Sequence, residues 1–506
     1  MTLRRPRVLA LVATFAVALT ACTAGSSSTS TSGSGGSAGT ASVSLGLVAE
    51  PASLDFTAAA GAAIPQLLMS NVYETLVAQD DTGKVVPALA KSWTISEDRK
   101  TYTFELVDTA KFTDGKPFTA DDAVFSIGYV KSSWKTALKK PMDVVADAKA
   151  LSPTRLQVTL TQPSNDWLFR MTTHMGAMMT QADVGDLANK AVGTGPYTVT
   201  SRTRGDSITL TRNDAYWGPK PYFQTVTFKY FKDGTALNNA LLSGGIDVIT
   251  TMQAPDALGQ FTGNAKYQVI EGTTNGEVLL SFNNAHEVFQ DKRVRQAIRQ
   301  GIDDKALMAA CFAGHGTLIG SFVPPTDPWY EDLTGVLPYD KAAATAAIAA
   351  AGKAGATLRL RVPNLPYAVS CGQVVKSQLE QIGLSIQLDT LEFPAAWVTS
   401  VYSGGDFDMS IVAHVEARDI PAVFGDPTYY TKYGTPQIRE LLAKADSGSE
   451  ADQVSTMKQV GRLIAEDVPG DVLFLLPNLM VADAKITGLP KNSITSAFEV
   501  AKLAKS

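Results

Sequence analysis

Apolar and polar residues alternate with period two in several short stretches, and that spacing predicts strands. Residues 43–47 form the first, and Tyr102, Phe104 and Leu106 mark another. Residues 207–211 and 225–231 repeat the pattern. Between them, Ala123, Val124, Ile127 and Val130 recur at helical spacing behind Thr119-Ala120-Asp121-Asp122. That tetrapeptide reads as a capping box, with its acids where the helix dipole favours them. Further on, Asp291 is placed to cap a helix whose Val294, Ala297, Ile298, Ile302 and Leu307 form one apolar stripe.

The pattern then becomes regular. Leu358, Leu360 and Val362 predict a strand, and Val375, Leu379 and Ile382 a helix. Leu384, Ile386 and Leu388 predict the next strand, residues 393–402 a helix, and residues 408–413 a third strand. A strand–helix–strand–helix–strand series implies right-handed crossovers and a parallel sheet. Ligands of open α/β sheets bind beyond the carboxyl ends of the strands. Those ends lead into Pro363-Asn364, Glu392-Phe393 and the polar run His414-Val415-Glu416-Ala417-Arg418-Asp419.

The start of the chain follows a different rule. Arg4, Arg5 and Arg7 precede an apolar run over residues 8–20, and Leu19-Thr20-Ala21-Cys22 follows. A spanning helix needs about 20 apolar residues. The shorter run reads as a signal peptide over residues 1–22, ending in a lipobox with Cys22 as the lipidated residue. Residues 23–42 are almost all Ser, Thr, Gly and Ala, a flexible tether. These features predict a domain held outside the cell membrane by a lipid anchor. In that oxidising setting the remaining cysteines, Cys311 and Cys371, are an even pair. They form either a disulfide or two unrelated buried thiols.

Composition narrows the classes. The 506 residues are 45% hydrophobic and 18% charged, which suits a globular chain of two or more lobes. The net charge of -5 and scattered acids give no basic patch for nucleic acid. There is no Gly-x-Ser-x-Gly outside the tether and no His-Glu-x-x-His. The four histidines are His174, His286, His315 and His414. No CxxC pair or zinc spacing occurs, and no metal or cofactor is expected.

A set of spaced stretches gives a more specific reading. They are residues 50–55 (EPASLD), 71–76 (NVYETL), 87–93 (PALAKSW), 101–106 (TYTFEL), 111–123 (KFTDGKPFTADDA), 193–197 (GTGPY), 213–217 (NDAYW) and 293–298 (RVRQAI). In order and spacing they resemble the family 5 extracellular solute-binding proteins of peptide, nickel and opine ABC importers, from about Ser44 to the end. The resemblance implies a two-lobed α/β fold of the type II periplasmic-binding class, with the chain crossing between lobes twice. It places the crossings near residues 273–277 and 475–478. The first lobe would comprise residues 43–274 and 476–506, with an inserted subdomain over about 76–190, and the second residues 275–475. Lobe closure would be a hinge movement. Most of the quoted stretches are scaffold, and the glycines of Gly193-Thr194-Gly195-Pro196 suggest a tight turn.

The same resemblance implies a receptor that passes a peptide-like ligand to permease subunits, works as a monomer and catalyses nothing. A secreted hydrolase and a metal or metal-chelate receptor are the alternatives. His414 and Glu416, two apart on a strand, share a face and are the residues a metal would use. For a peptide, the amino group needs a buried carboxylate. Relatives use an aspartate at the position of Asp419, within a Trp-containing loop; here the tryptophan is missing and Glu416 is a rival. Some relatives hold the ligand carboxylate with an arginine early in the helix after the Leu358 strand. Residues 367–372 (YAVSCG) contain none, which leaves Arg418 as a substitute. Asn283, Tyr73 and Trp397 complete the candidate ligand contacts.

Overall fold

The computed structural model describes residues 41–58 and 61–506. The signal peptide of residues 1–22, the lipidation site Cys22 and the tether up to residue 40 lie outside these. Among the described residues no helix is long and apolar enough to cross a membrane.

A ten-stranded sheet runs through the described chain. Its order begins Ser385–Leu391, Thr357–Pro363, Met409–His414, Tyr267–Phe282 and Gly470–Asp483. It continues Val248–Ile249, Ser42–Leu47, Thr225–Tyr230, Ser207–Arg212 and Tyr197–Thr203. The strand–helix alternation of the second half gives the expected parallel pairs, Leu358 opposite Ile386 and Leu360 opposite Met409. The helix between the first two of these strands, Pro366–Gln381, buries Ala368, Cys371, Val375 and Leu379 on one face.

Two long antiparallel strands, Tyr267–Phe282 and Gly470–Asp483, join the halves of the sheet. Their register breaks between Thr273 and Glu277. There the Thr274 hydroxyl donates to the Leu476 carbonyl at 2.7 Å and accepts from the Gly276 N–H at 2.9 Å. One apolar core draws on Val43 to Val248 and Met480 to Leu503. A second draws on Val278 to Phe474, and a third covers the other face around Leu279, Ile319, Phe424 and Val460. The cores thus fall on either side of the register break, as a two-lobed fold requires. Within the first half, a separate four-stranded antiparallel sheet is built from Ala90–Ile95, Thr101–Leu106, Arg155–Leu160 and Val145–Ser152.

Several local readings change. The apolar stripe after Asp291 is two helices, Lys292–Gly301 and Asp304–Phe312. Asp291 caps the first by accepting from the Arg293 N–H, and Asp303 caps the second by accepting from the Ala306 N–H. Residues 393–402 make one α-turn, Ala395–Trp397, followed by π-helix over Val398–Ser403. The glycines at 193 and 195 do not need unusual backbone angles. A Cβ on Gly193 would fall 2.0 Å from the Val72 carbonyl oxygen, so close backbone approach is what excludes a side chain. The capping box at Thr119 is formed, with Asp122 accepting from both the Thr119 N–H and its hydroxyl.

The motif stretches meet as internal wiring. Half-buried Glu74 accepts hydrogen bonds from the Thr194 hydroxyl at 2.7 Å, the Tyr216 hydroxyl at 2.7 Å and the Trp217 indole at 2.9 Å. Asn71 accepts from the Val500 N–H and donates to the Phe498 carbonyl, which ties down the end of the chain. Cys311 and Cys371 are joined by a disulfide with Cα atoms 5.0 Å apart. It fastens the Asp304–Phe312 helix to the Pro366–Gln381 helix.

Candidate functional site

The Met409–His414 strand ends beside the register break, and its partner residue opposite His414 is Glu277. Directly opposed residues of an antiparallel pair point to the same face. His414 and Glu277 therefore share a face, and both are buried, at 8% and 3% exposure. His414 Nδ1 lies 3.2 Å from Asp419 Oδ2, and its Nε2 lies 2.8 Å from the Tyr430 hydroxyl. A carboxylate only accepts, so Nδ1 carries the proton. Tyr430 in turn meets the Ser281 hydroxyl. Asp419, His414, Tyr430 and Ser281 thus form one polar chain that runs from half-buried Asp419 into the interior. Asp419 also starts the short helix Ile420–Val423, and its Oδ1 has no partner among the described residues.

The other wall comes from the first half of the chain. Arg170, at the end of the Asn165–Arg170 helix, donates from Nη1 to the Ala417 carbonyl and from Nη2 to the Arg418 carbonyl, both at 2.8 Å. Its Nε is held by Asp166 at 2.9 Å. The clamped loop is strained, since Arg418 has φ of 57°, a left-handed conformation that non-glycine residues seldom adopt. The Arg418 guanidinium stacks 3.7 Å from the Phe169 ring centroid and 4.8 Å from that of Trp329. Its Nε donates to Asp327 at 3.4 Å.

Acidic groups outnumber the cations here. Burial pushes the Asp327 carboxyl up to about 6, against the pull of Arg418. Burial also raises Glu416, with the charge of Asp419 adding to it. Glu277 is raised well above the usual carboxylate range, again by burial first and then by Asp419. Phe169, Asn275, Thr326, Asp327 and Arg418 line a cavity of about 10 Å³, room for roughly one water. A larger ligand enters only if the walls part.

Of the sequence candidates, His414, Glu416, Arg418 and Asp419 are gathered at this cleft. Three others are corrected. Tyr73 is 1% exposed, packed edge-on against Phe56 in the first core, because its neighbours Val72 and Leu76 carry the same apolar face inward. Asn283 lies at the opposite end of the Met409–His414 ladder, where it holds the Gly405 and Phe407 carbonyls. Trp397 sits behind the site, donating to Ser410 at 3.1 Å and packing against Tyr430. Sequence reasoning missed Arg170, Glu277, Asp327 and Tyr430. Glu277 carried a signal, a lone charge directly before the apolar run Val278-Leu279-Leu280. Among the described residues no group of three or more His, Cys, Asp or Glu is placed to hold a metal ion.

Comparison with known proteins adds four findings. A family model described as "Bacterial extracellular solute-binding proteins, family 5 Middle" matches residues 84–435. The nickel-binding periplasmic protein of Escherichia coli is 29% identical over 63% of this chain and 66% of its own length. The dipeptide-binding protein of the same organism is 25% identical over 62% and 64%. Among solved structures, the oligopeptide-binding protein AppA of Bacillus subtilis, in complex with a nonapeptide, superposes with a TM-score of 0.81 at 21% identity. That superposition covers 92% of this chain and 99% of AppA.

Proposed function

The chain belongs to family 5 of the bacterial extracellular solute-binding proteins, and from that membership we propose that it is the peptide-binding subunit of an ABC importer. In this reading it is monomeric, anchored to the outer face of the cell membrane through Cys22, and hands its ligand to the permease subunits without turnover. The lobes meet at residues 273–277 and 475–478, and a hinge there opens the cleft. The observation that carries the reading is Asp419. One of its oxygens is fixed by His414, and the other has no partner among the described residues. A desolvated ammonium is the partner such a carboxylate lacks. The peptide backbone pairs with protein main chain, and its side chains fill pockets.

His414 does not favour the metal reading, because both of its ring nitrogens are already engaged. Calorimetry distinguishes the two. Short peptides should bind and be recovered intact by mass spectrometry, while nickel and zinc salts should give no saturable heat. Saturable nickel binding that disappears in His414→Ala, with no peptide binding, would overturn the proposal.

A further inference from the structure

Among the described residues Glu277 has no counter-ion. Its Oε2 is buried and makes no hydrogen bond among the described residues. It faces the charges of Asp419 and Asp327. The guanidiniums nearby are already engaged: Arg170 with Asp166 and two carbonyls, Arg418 with Asp327. An unpaired buried carboxylate is costly, so an acid in this setting stays protonated until a cation arrives. Setting Asp166 against Arg170 and Asp327 against Arg418 leaves Glu277, Glu416 and Asp419. A ligand amino terminus at Asp419 neutralises one of the three.

We propose that the cleft takes ligands bearing a second cationic group, an ammonium or guanidinium besides the amino terminus, and that Glu277 is its counter-ion. This rests on the reading of the cleft as the ligand site. Two sources share that chemistry, the side chain of a lysine or arginine in a peptide and a free polyamine. Glu277 stands at the edge of the register break, where the strand resumes its ladder with Gly470–Asp483 and faces His414 on the other side. The group it binds therefore lies deeper than the one held by Asp419, near the line about which the lobes turn.

The test is calorimetric. Tripeptides of alanine with one lysine at each position in turn are titrated beside their Nε-acetylated forms, trialanine and spermidine. The expected result is that one lysine position binds wild type at least tenfold more tightly than its acetylated form. In Glu277→Gln, which keeps the shape of the protonated side chain, that preference should fall below threefold. Wild type alone supplies the first comparison, so a poorly folded variant leaves the proposal open to refutation. Equal binding of lysine peptides and their acetylated forms by wild type would overturn it and leave the peptide reading standing. Spermidine binding that depends on Glu277, without peptide binding, would support the second cation and overturn the peptide reading. Binding of neither would overturn both.

Discussion

At the scale of single residues, the site is a set of carboxylates held without enough cations. Asp327 shows the consequence for pH. Burial raises it to about 6, Arg418 and Arg170 pull it down, and Asp419 pushes it up. Its folded value lies above the usual 3.8, so the folded state binds a proton that the unfolded state releases. The stability this contributes is present at low pH and is lost as pH rises through about 6. Glu277 and Glu416, raised in the same direction, add to it. Asp291 and Asp426, held near 2, act in the opposite sense only below about 4. The unliganded protein should therefore be more stable at pH 5 than at pH 7, by roughly 1 kcal/mol from Asp327 alone. Urea unfolding at the two pH values measures this, and Asp327→Asn should flatten the difference. Equal stability of wild type at both would count against the raised value. The run from His414 to Asp419 was legible in the sequence because it breaks an apolar pattern at a strand end. Arg170 was not, since the carbonyls it clamps lie 247 and 248 residues away.

At the scale of elements, two helix ends close on each other across the cleft. The last carbonyls of a helix lack intrahelical partners. Those at the end of the Pro436–Ser447 helix are met by Asn165, which donates to the Ala445 and Gly448 carbonyls at 2.8 and 3.0 Å. Arg99 donates to the Ser447 and Gly448 carbonyls. In return, Asp446 accepts from the Ser164 hydroxyl at 2.8 Å and the Asp166 N–H at 2.9 Å, at the start of the Asn165–Arg170 helix. Each such bond is worth about 1 kcal/mol net. In the proposed reading these contacts form only when the lobes are shut, so Asp446→Ala, which removes two of them, should release bound ligand at least tenfold faster. Stopped-flow dissociation reads that rate, and an unchanged rate would mean these contacts do not hold the lobes shut. The two helices themselves were not assigned from the sequence. The parallel strands of the second half were, because continuous apolar alternation survives any tertiary arrangement. The break between Gly301 and Asp304 was not, because Ile302 and Leu307 keep the helical stripe going across it.

At the scale of the whole molecule, one sheet serves cores on both sides of the register break, and the chain crosses between them in two neighbouring strands. In the proposed reading the halves turn about this short line without disturbing the cores. The quoted sequence stretches point to this fold, and the structure explains why: Glu74 binds Thr194, Tyr216 and Trp217, and Asn71 binds the end of the chain at Phe498 and Val500. The proposed ligand contacts therefore lie outside those stretches, above all at Asp419. The proposal that Asp419 grips the amino group of a peptide-like ligand underlies this reading of the cleft. Its most direct test is a calorimetric cycle of wild type and Asp419→Ala, each titrated with a bound peptide and its N-acetylated form. Acetylation should cost wild type about a hundredfold in affinity and the variant little, because a charge-assisted bond to a buried ammonium is worth a few kcal/mol. Equal losses in the two proteins would contradict the account.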